Sequence, residues 1–489
     1  MIKCLLMVYN RQLIFEIIII FLVGTFVTAS LIKVSTMDEK WVKILILGSV
    51  GIAGFFLIPE KEKFLLYFAT FCLAFDLDFN LYYRGNPYIV RPINGFRITI
   101  VDFLLIFPVV MWCYRIANDS YEKIYFYPWI SIPFLLIFAW SFVGLSISTV
   151  PEDISIAALW IIGKNWIIFI YLANNLKDRK TIYTVFCVLL LMGVFQSLVC
   201  IAQSATGGTV GLGMLGEAEI FDMAADTGTV SRIGGTVGHP NKLAGFMAVL
   251  MQLNLVFLYA YIPKHARYPL FISCALITIT IVLAYSRGAI AGMMMGGAFS
   301  SWWCLSKRNG HIFINALMVI SIIVVVSVTS LALIEPLRTR FFGDDHGSAD
   351  LRPEMRLVAN NIIRHHPWFG VGLNNYTSVL RRYDISKMAV SLEFPKPVHT
   401  EFLLIAAEIG IPGLCFFIFI LFVTLFNLVL MGLSQTEPVI PFLAIGFLSA
   451  WMGWLFHHYY EYDYALFSNY IWHYIGIIQA MKRLMTKQS

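Results

Sequence analysis

Apolar stretches of about 20 residues, the length a helix needs to cross a bilayer, recur along nearly the whole chain and constrain its fold more than any other feature. About fourteen are legible, near 14–34, 42–59, 63–80, 98–114, 128–148, 155–174, 182–204, 242–262, 269–286, 288–305, 312–334, 400–432, 439–457 and 466–481. Lipid offers no partner for exposed backbone, so each such stretch must satisfy its own hydrogen bonds as a helix. Composition agrees: 59% of the 489 residues are apolar and 13% charged, against about 45–50% and 25% in soluble domains. The expectation is an all-α integral membrane protein with about 12–14 spans. Asp76 and Asp78 interrupt 63–80, which reads as a span or as a re-entrant or interfacial piece. No small-residue cleavage site follows the first run, so Ile14–Val34 is expected to be a retained span.

Lys and Arg in short loops set orientation. With the N-terminus inside, 16 basic residues fall in cytoplasmic segments, among them Lys177, Arg179, Lys180, Lys307, Arg308, Lys482 and Arg483, and seven fall in short outside loops. Both termini are then cytoplasmic. The net charge of +6 is dispersed between apolar runs, so no nucleic-acid partner is expected. The eight cysteines are scattered without CxxC or Cys/His spacing, which points to neither a zinc site nor a disulfide framework.

Two segments exceed simple connectors and both face outside. The expected organisation is N-terminal helices over 1–204, a glycine-rich outer loop over 205–241, central helices over 242–334, a large outer loop over 335–399 and C-terminal helices over 400–489. In the large loop, Leu351, Met355, Val358 and Ile362 recur at helical spacing, predicting an amphipathic helix on the membrane surface that ends at His366-Pro367.

Ionisable groups at membrane depth are costly and so pair or serve a function. Arg287, in Tyr285-Ser286-Arg287-Gly288, lies between two apolar runs with almost no loop. It suits a phosphate ligand or an arginine snorkelling to headgroups. Arg232 precedes Gly234-Gly235-Thr236-Val237-Gly238-His239-Pro240-Asn241-Lys242, either a flexible connector or a glycine-rich, anion-binding entry to a helix opened by Pro240. His399, at the outer mouth of the next span, is a candidate base or a helix cap. Arg352 and Arg356 share a helix face, where they could embrace a diphosphate or anchor the helix to headgroups. Lys164 has three readings: a ligand contact, a pair with Asp102 or Asp153, or a snorkelling lysine. The tract from His457 to Tyr464 reads as an interfacial aromatic belt. A metal held by His457, His458, Glu461 and Asp463 is disfavoured by their loose spacing.

Several of these pieces, taken in order, resemble the O-antigen ligase and O-antigen polymerase superfamily. They are Arg232 with Gly238-His239-Pro240-Asn241-Lys242-Leu243-Ala244, then Tyr285-Ser286-Arg287-Gly288, then Arg352 with His366-Pro367-Trp368-Phe369-Gly370-Val371-Gly372-Leu373-Asn374-Asn375-Tyr376. His399-Thr400-Glu401-Phe402-Leu403 leading to Glu408-Ile409-Gly410-Ile411-Pro412-Gly413 completes the set. The resemblance covers residues 230–415. Two positions depart from it: Thr400 stands where asparagine is usual, and Arg356 where a tryptophan is often found.

The resemblance implies a GT-C-like bundle in a bacterial inner membrane, acting as an inverting, metal-independent glycosyltransferase with no cofactor. The implied donor is a glycan on a polyprenyl diphosphate, typically undecaprenyl, and the acceptor a hydroxyl on a lipid, a protein or another lipid-linked repeat. Ligase and polymerase are not separated. In that chemistry His399 positions or deprotonates the acceptor while Arg287 and Arg232 stabilise the leaving diphosphate. Arg352, Arg356, Asn241 and Lys164 are the candidate substrate-binding residues. Implied partners are membrane lipids and polysaccharide assembly and export proteins. A lipid-linked-sugar transporter or flippase, and a non-catalytic scaffold, are the alternatives.

Overall fold

The computed structural model describes residues 58–83, 92–118, 123–147, 152–225, 228–260, 264–333, 335, 338, 348–434 and 439–486. The expected spans at 14–34 and 42–59 lie outside the described residues, the second but for its last two positions. The chain divides into two units, one ending at Phe64 and one starting at Leu65, and the bundle, its cap and the cavity belong to the second.

The elements in order are α1 (Lys61–Phe71), β1 (Asp78–Tyr83), β2 (Gly95–Thr99), α2 (Ile100–Asn118), α3 (Pro128–Gly144), α4 (Glu152–Asn175), α5 (Arg179–Thr206), β3 (Phe221–Ala225), β4 (Gly228–Arg232), α6 (Pro240–Tyr259), α7 (Lys264–Leu283), α8 (Arg287–Asn309), α9 (Ile312–Leu333), α10 (Ser348–His365), α11 (Tyr376–Tyr383), α12 (Val390–Glu393), α13 (Glu401–Leu433), α14 (Ile440–His458) and α15 (Asn469–Thr486). The protein is an all-α integral membrane protein that carries, among the described residues, two small antiparallel hairpins. A helix stands at each expected span from residue 98 onward. Six are long and apolar enough to cross a membrane among the described residues: α2, α4, α5, α6, α13 and α14. The stretch at 63–80 is not one continuous helix. Its helix gives way at Phe75, and Asp78 opens a strand paired with β2.

The centre of the bundle is α6, α8 and α14, packed against one another. Gly288, Gly292 and Gly296 recur every fourth residue along α8 and let its backbone meet α14. A Cβ on Gly292 would lie 2.7 Å from the Gly453 carbonyl oxygen, and one on Gly296 2.6 Å from that of Ser449. On either side α15 packs on α4, and α13 on α3 and α14.

The large loop folds as a cap with its own core. Met355, Val358, Ala359 and Ile362 of α10 are buried with Tyr376, Leu380 and Val398, against Leu404 and Ala407 of α13. The expected helix is therefore present and ends where predicted, and its apolar face is covered by protein. The reason is local. Residues 367–372 run beside a break in α13 at Gly410, so the cap is bonded to that helix by main chain. Val371 N–H donates to the Ala407 carbonyl at 2.9 Å, Gly372 N–H to that of Glu408 at 2.9 Å, and Ile411 N–H to that of Pro367 at 2.8 Å. Gly370 (φ 63°) and Gly410 (φ 74°) allow this approach; a side chain at Gly410 would overlap the Trp368 carbonyl. The Glu408 carboxylate closes the clasp, accepting from Asn374 N–H at 2.9 Å and Tyr376 N–H at 3.2 Å.

Candidate active site

The ends of these elements enclose a cavity of about 730 Å³. Its wall takes in the turn at Asp76, Arg97 and Thr99 of β2, Lys164 of α4, Arg232, the start of α6, Arg352 of α10, the cap segment 394–399, and the chain from His457 to Tyr470. The lining holds six cationic side chains (Arg97, Lys164, Arg232, Lys242, Arg352, Lys396) and three carboxylates (Asp76, Glu461, Asp463); with Asp78 and Asp102 also pairing Arg97 and Lys164, cations keep a small excess that favours an anion.

Arg232 ends β4 and is nearly buried. Its Nε donates to the Ala284 carbonyl at 2.9 Å, and its terminal nitrogen bonds Asn241 Oδ1. Ala284 leads into the left-handed Tyr285 (φ 47°) and so to Arg287 at the head of α8. Pro240 occupies the first turn of α6, as expected, and His239 caps that helix, its Nδ1 accepting from Asn241 N–H at 3.2 Å. Burial, with Arg232 nearby, lowers the His239 pKa to about 4, so the imidazole is the neutral acceptor the cap requires. The preceding glycine turn is pinned by two glutamines of α5. Gly235 N–H bonds Gln203 Oε1 at 3.1 Å, and Thr236 N–H bonds Gln196 Oε1 at 3.3 Å. The glycine-rich segment is a fixed entry to α6.

On the opposite wall, His399 Nδ1 lies 3.0 Å from Glu461 Oε2, and Arg352 donates to Glu461 Oε1 at 2.8 Å. Burial alone would keep Glu461 protonated. The hydrogen bond from His399, together with the charges of His399 and Arg352, outweighs it and takes the pKa down to about 2. An ionised carboxylate only accepts, so Nδ1 of His399 donates to Glu461, and Nε2 is the ring nitrogen that this contact does not engage. The His399 side chain is 20% exposed and stands between the rings of Phe394 and Tyr462. Neighbouring Asp463 is also held well below the carboxylate range against the penalty of burial, by His458, by the charge of Lys242 and by the Tyr470 hydroxyl.

Of the other candidates, Lys164 lines the cavity and pairs with Asp102, which also accepts from Thr99 N–H at 2.7 Å. Arg287 is not among the lining residues, although the adjacent Gly288 abuts His457, which is. Arg356 is absent from the lining as well. Its guanidinium bonds the Tyr459 carbonyl at 3.2 Å and lies 4.8 Å from the centre of that ring. Arg352 and Arg356 thus reach the same loop, but only Arg352 faces the cavity. Glu461, His239, Lys242, Lys396, Arg97 and Asp463 are site residues that the sequence did not single out for this chemistry. Glu461 lies 62 residues beyond His399, inside a tract that reads as an aromatic belt. Among the described residues no three His, Cys, Asp or Glu side chains are grouped as metal ligands.

Residues 272–418 match the family model for O-antigen ligase. Over this segment the chain is similar to the O-antigen ligase family. The resemblance drawn from the ordered motifs is borne out over it. No curated protein matches the chain. Of the lining residues, Arg352 and His399 lie within the matched segment, while Lys164, Arg232, Asn241 and Glu461 come from the chain on either side of it.

Proposed function

We propose that the protein transfers a glycan from a polyprenyl diphosphate to an acceptor hydroxyl, in the cavity and on the outer face of a bacterial inner membrane. The observation that carries this reading is the contact of His399 with an ionised Glu461 beside a cation-rich chamber. Glu461 fixes the imidazole tautomer, so Nε2 can take the proton of the acceptor hydroxyl. The freed oxygen forms a bond to the anomeric carbon as the bond from that carbon to the diphosphate oxygen breaks. The electron pair leaves with the polyprenyl diphosphate, and attack from the opposite side inverts the anomeric centre.

The departing charge needs fixed cations in a site that excludes water. Arg232 suits this, being held by the Ala284 carbonyl and Asn241 before substrate arrives. Arg287, three residues after Ala284, and Lys242 are assigned to the same phosphates. Arg352 both binds and ionises Glu461. Such guanidinium contacts supply the charge neutralisation for which other transferases use a metal. The reading includes both ligase and polymerase outcomes.

The test is product analysis with purified protein, proteoliposomes and a defined lipid-linked glycan. Wild type is expected to form a new glycosidic bond, and His399→Ala and Arg287→Ala to lose it. Full transfer by both variants would overturn the residue assignments. Movement of the labelled lipid across the bilayer without a new bond would overturn the reaction in favour of transport.

A further inference from the structure

We propose that Glu401 is a positioning residue: a buried latch on the loop bearing Glu461 that keeps Glu461 in contact with His399. The inference rests on the reading of His399 as the base. Glu401 opens α13 two residues after His399 and is 0% exposed. Oε2 of its carboxylate accepts from Asp463 N–H at 2.8 Å and Oε1 from Ala465 N–H at 2.7 Å. Between His399 and Glu401, the Thr400 hydroxyl lies 2.7 Å from the His399 carbonyl and 3.2 Å from that of Tyr459.

The two residues following His399 thus grip the loop on both sides of Glu461, at Tyr459 before it and at Asp463 and Ala465 after it. Residues 461–464 form no helix or strand, so their main chain is not held by a ladder of its own. A carboxylate oriented toward two N–H groups supplies what a ladder would. Glu401 is not among the residues lining the main cavity, so it acts through the loop and not on substrate. Thr400, in place of the family's usual asparagine, directs its hydroxyl to main chain and not to the imidazole. That departure belongs to the same latch.

Substituting Glu401→Gln leaves one N–H facing an amide N–H₂ and releases the loop at one point. A displacement of about 1 Å at a catalytic group can cost about 10²-fold in rate. The experiment compares wild type, Glu401→Gln, Glu461→Gln, the double variant and Glu401→Asp, each monodisperse in detergent. Hydrogen exchange is followed across residues 459–466, and kcat and KM for transfer are measured separately. In Glu401→Gln the Asp463 and Ala465 amides are expected to exchange faster by about tenfold. Its kcat should fall by about tenfold or more with KM nearly unchanged, and Glu401→Asp should recover part of both. The double variant should lose no more than Glu461→Gln alone, because coupled residues fail additivity, and Glu461→Gln should leave exchange unchanged.

Faster exchange with an unaltered kcat reduces Glu401 to a structural residue and overturns the proposal, as do losses that multiply in the double variant. Unchanged exchange in Glu401→Gln overturns the latch alone. Absence of transfer by wild type instead overturns the reading of the reaction on which the catalytic part rests.

Discussion

At the scale of single residues, the pairing of His399 with Glu461 divides the roles in a way that kinetics can read. Because Glu461 stays ionised down to about pH 2, loss of activity on mild acidification should follow protonation of a different group. Replacing His399 by Ala removes the base and should lower kcat by about 10²–10⁴-fold. Glu461→Gln keeps shape but loses the charge that fixes the tautomer, and should lower kcat with little change in KM. Equal kcat in wild type and Glu461→Gln would dissolve the dyad. His239 gives an independent readout of stability. Its folded pKa of about 4 lies below the ordinary value of 6.5. Between those values the unfolded chain binds a proton that the folded protein refuses, so stability declines as pH falls from 6.5 to 4. The contribution is about 1–2 kcal/mol after allowance for partial exposure. His239→Asn keeps an N-cap acceptor without titrating, so its unfolding temperature should fall less between pH 7 and pH 5 than that of wild type. Parallel melting curves across that range would count against the cap.

At the scale of elements, the clasp between the cap and α13 makes a sharper demand than the helices themselves. Gly410 has φ 74° and ψ 176°, a region essentially closed to other residues, at a cost of about 1–3 kcal/mol. Gly410→Ala should therefore detach the cap, and trypsin should reach Arg364, Arg381 and Arg382 faster than in wild type. Gly297→Ala is the control, since a Cβ there meets only ordinary contacts at 3.7 and 4.0 Å, and it should digest like wild type. The same elements mark what a linear reading can recover. Helix positions were legible because each span must be apolar throughout its length. The face of α10 was legible from the spacing of Met355, Val358 and Ile362, but periodicity does not say whether lipid or protein covers a face. The motif around Gly370 and the one around Gly410 stood out singly, yet their purpose is mutual. Each glycine is required by backbone that comes from the other segment. Glu461 was hidden for the same reason, since its meaning depends on partners in α10 and at the mouth of α13.

At the scale of the whole molecule, charge and cavity lie at opposite ends of the bundle. Lys177, Arg179, Lys307, Arg308, Lys482 and Arg483 sit at the ends of α4, α5, α8 and α15 remote from the cavity, whose wall is built from the other ends, at Asn241, His457 and Asn469. Basic residues in short loops remain on the cytoplasmic side, so the cavity should open outward. The cations of the cavity wall do not reverse this argument. Arg97 and Lys164 are paired with carboxylates, and Arg352 and Lys396 belong to a long loop, which translocates largely regardless of charge. Orientation can be measured on a cysteine-free background carrying either Lys396→Cys at the cavity or Lys482→Cys at the other end. A membrane-impermeant maleimide applied to intact spheroplasts should label the first and spare the second until the membrane is opened. Labelling in the reverse order would turn the cavity toward the cytoplasm, where a glycan already carried across the membrane could not reach it, and the outward-facing transfer reaction would have to be abandoned.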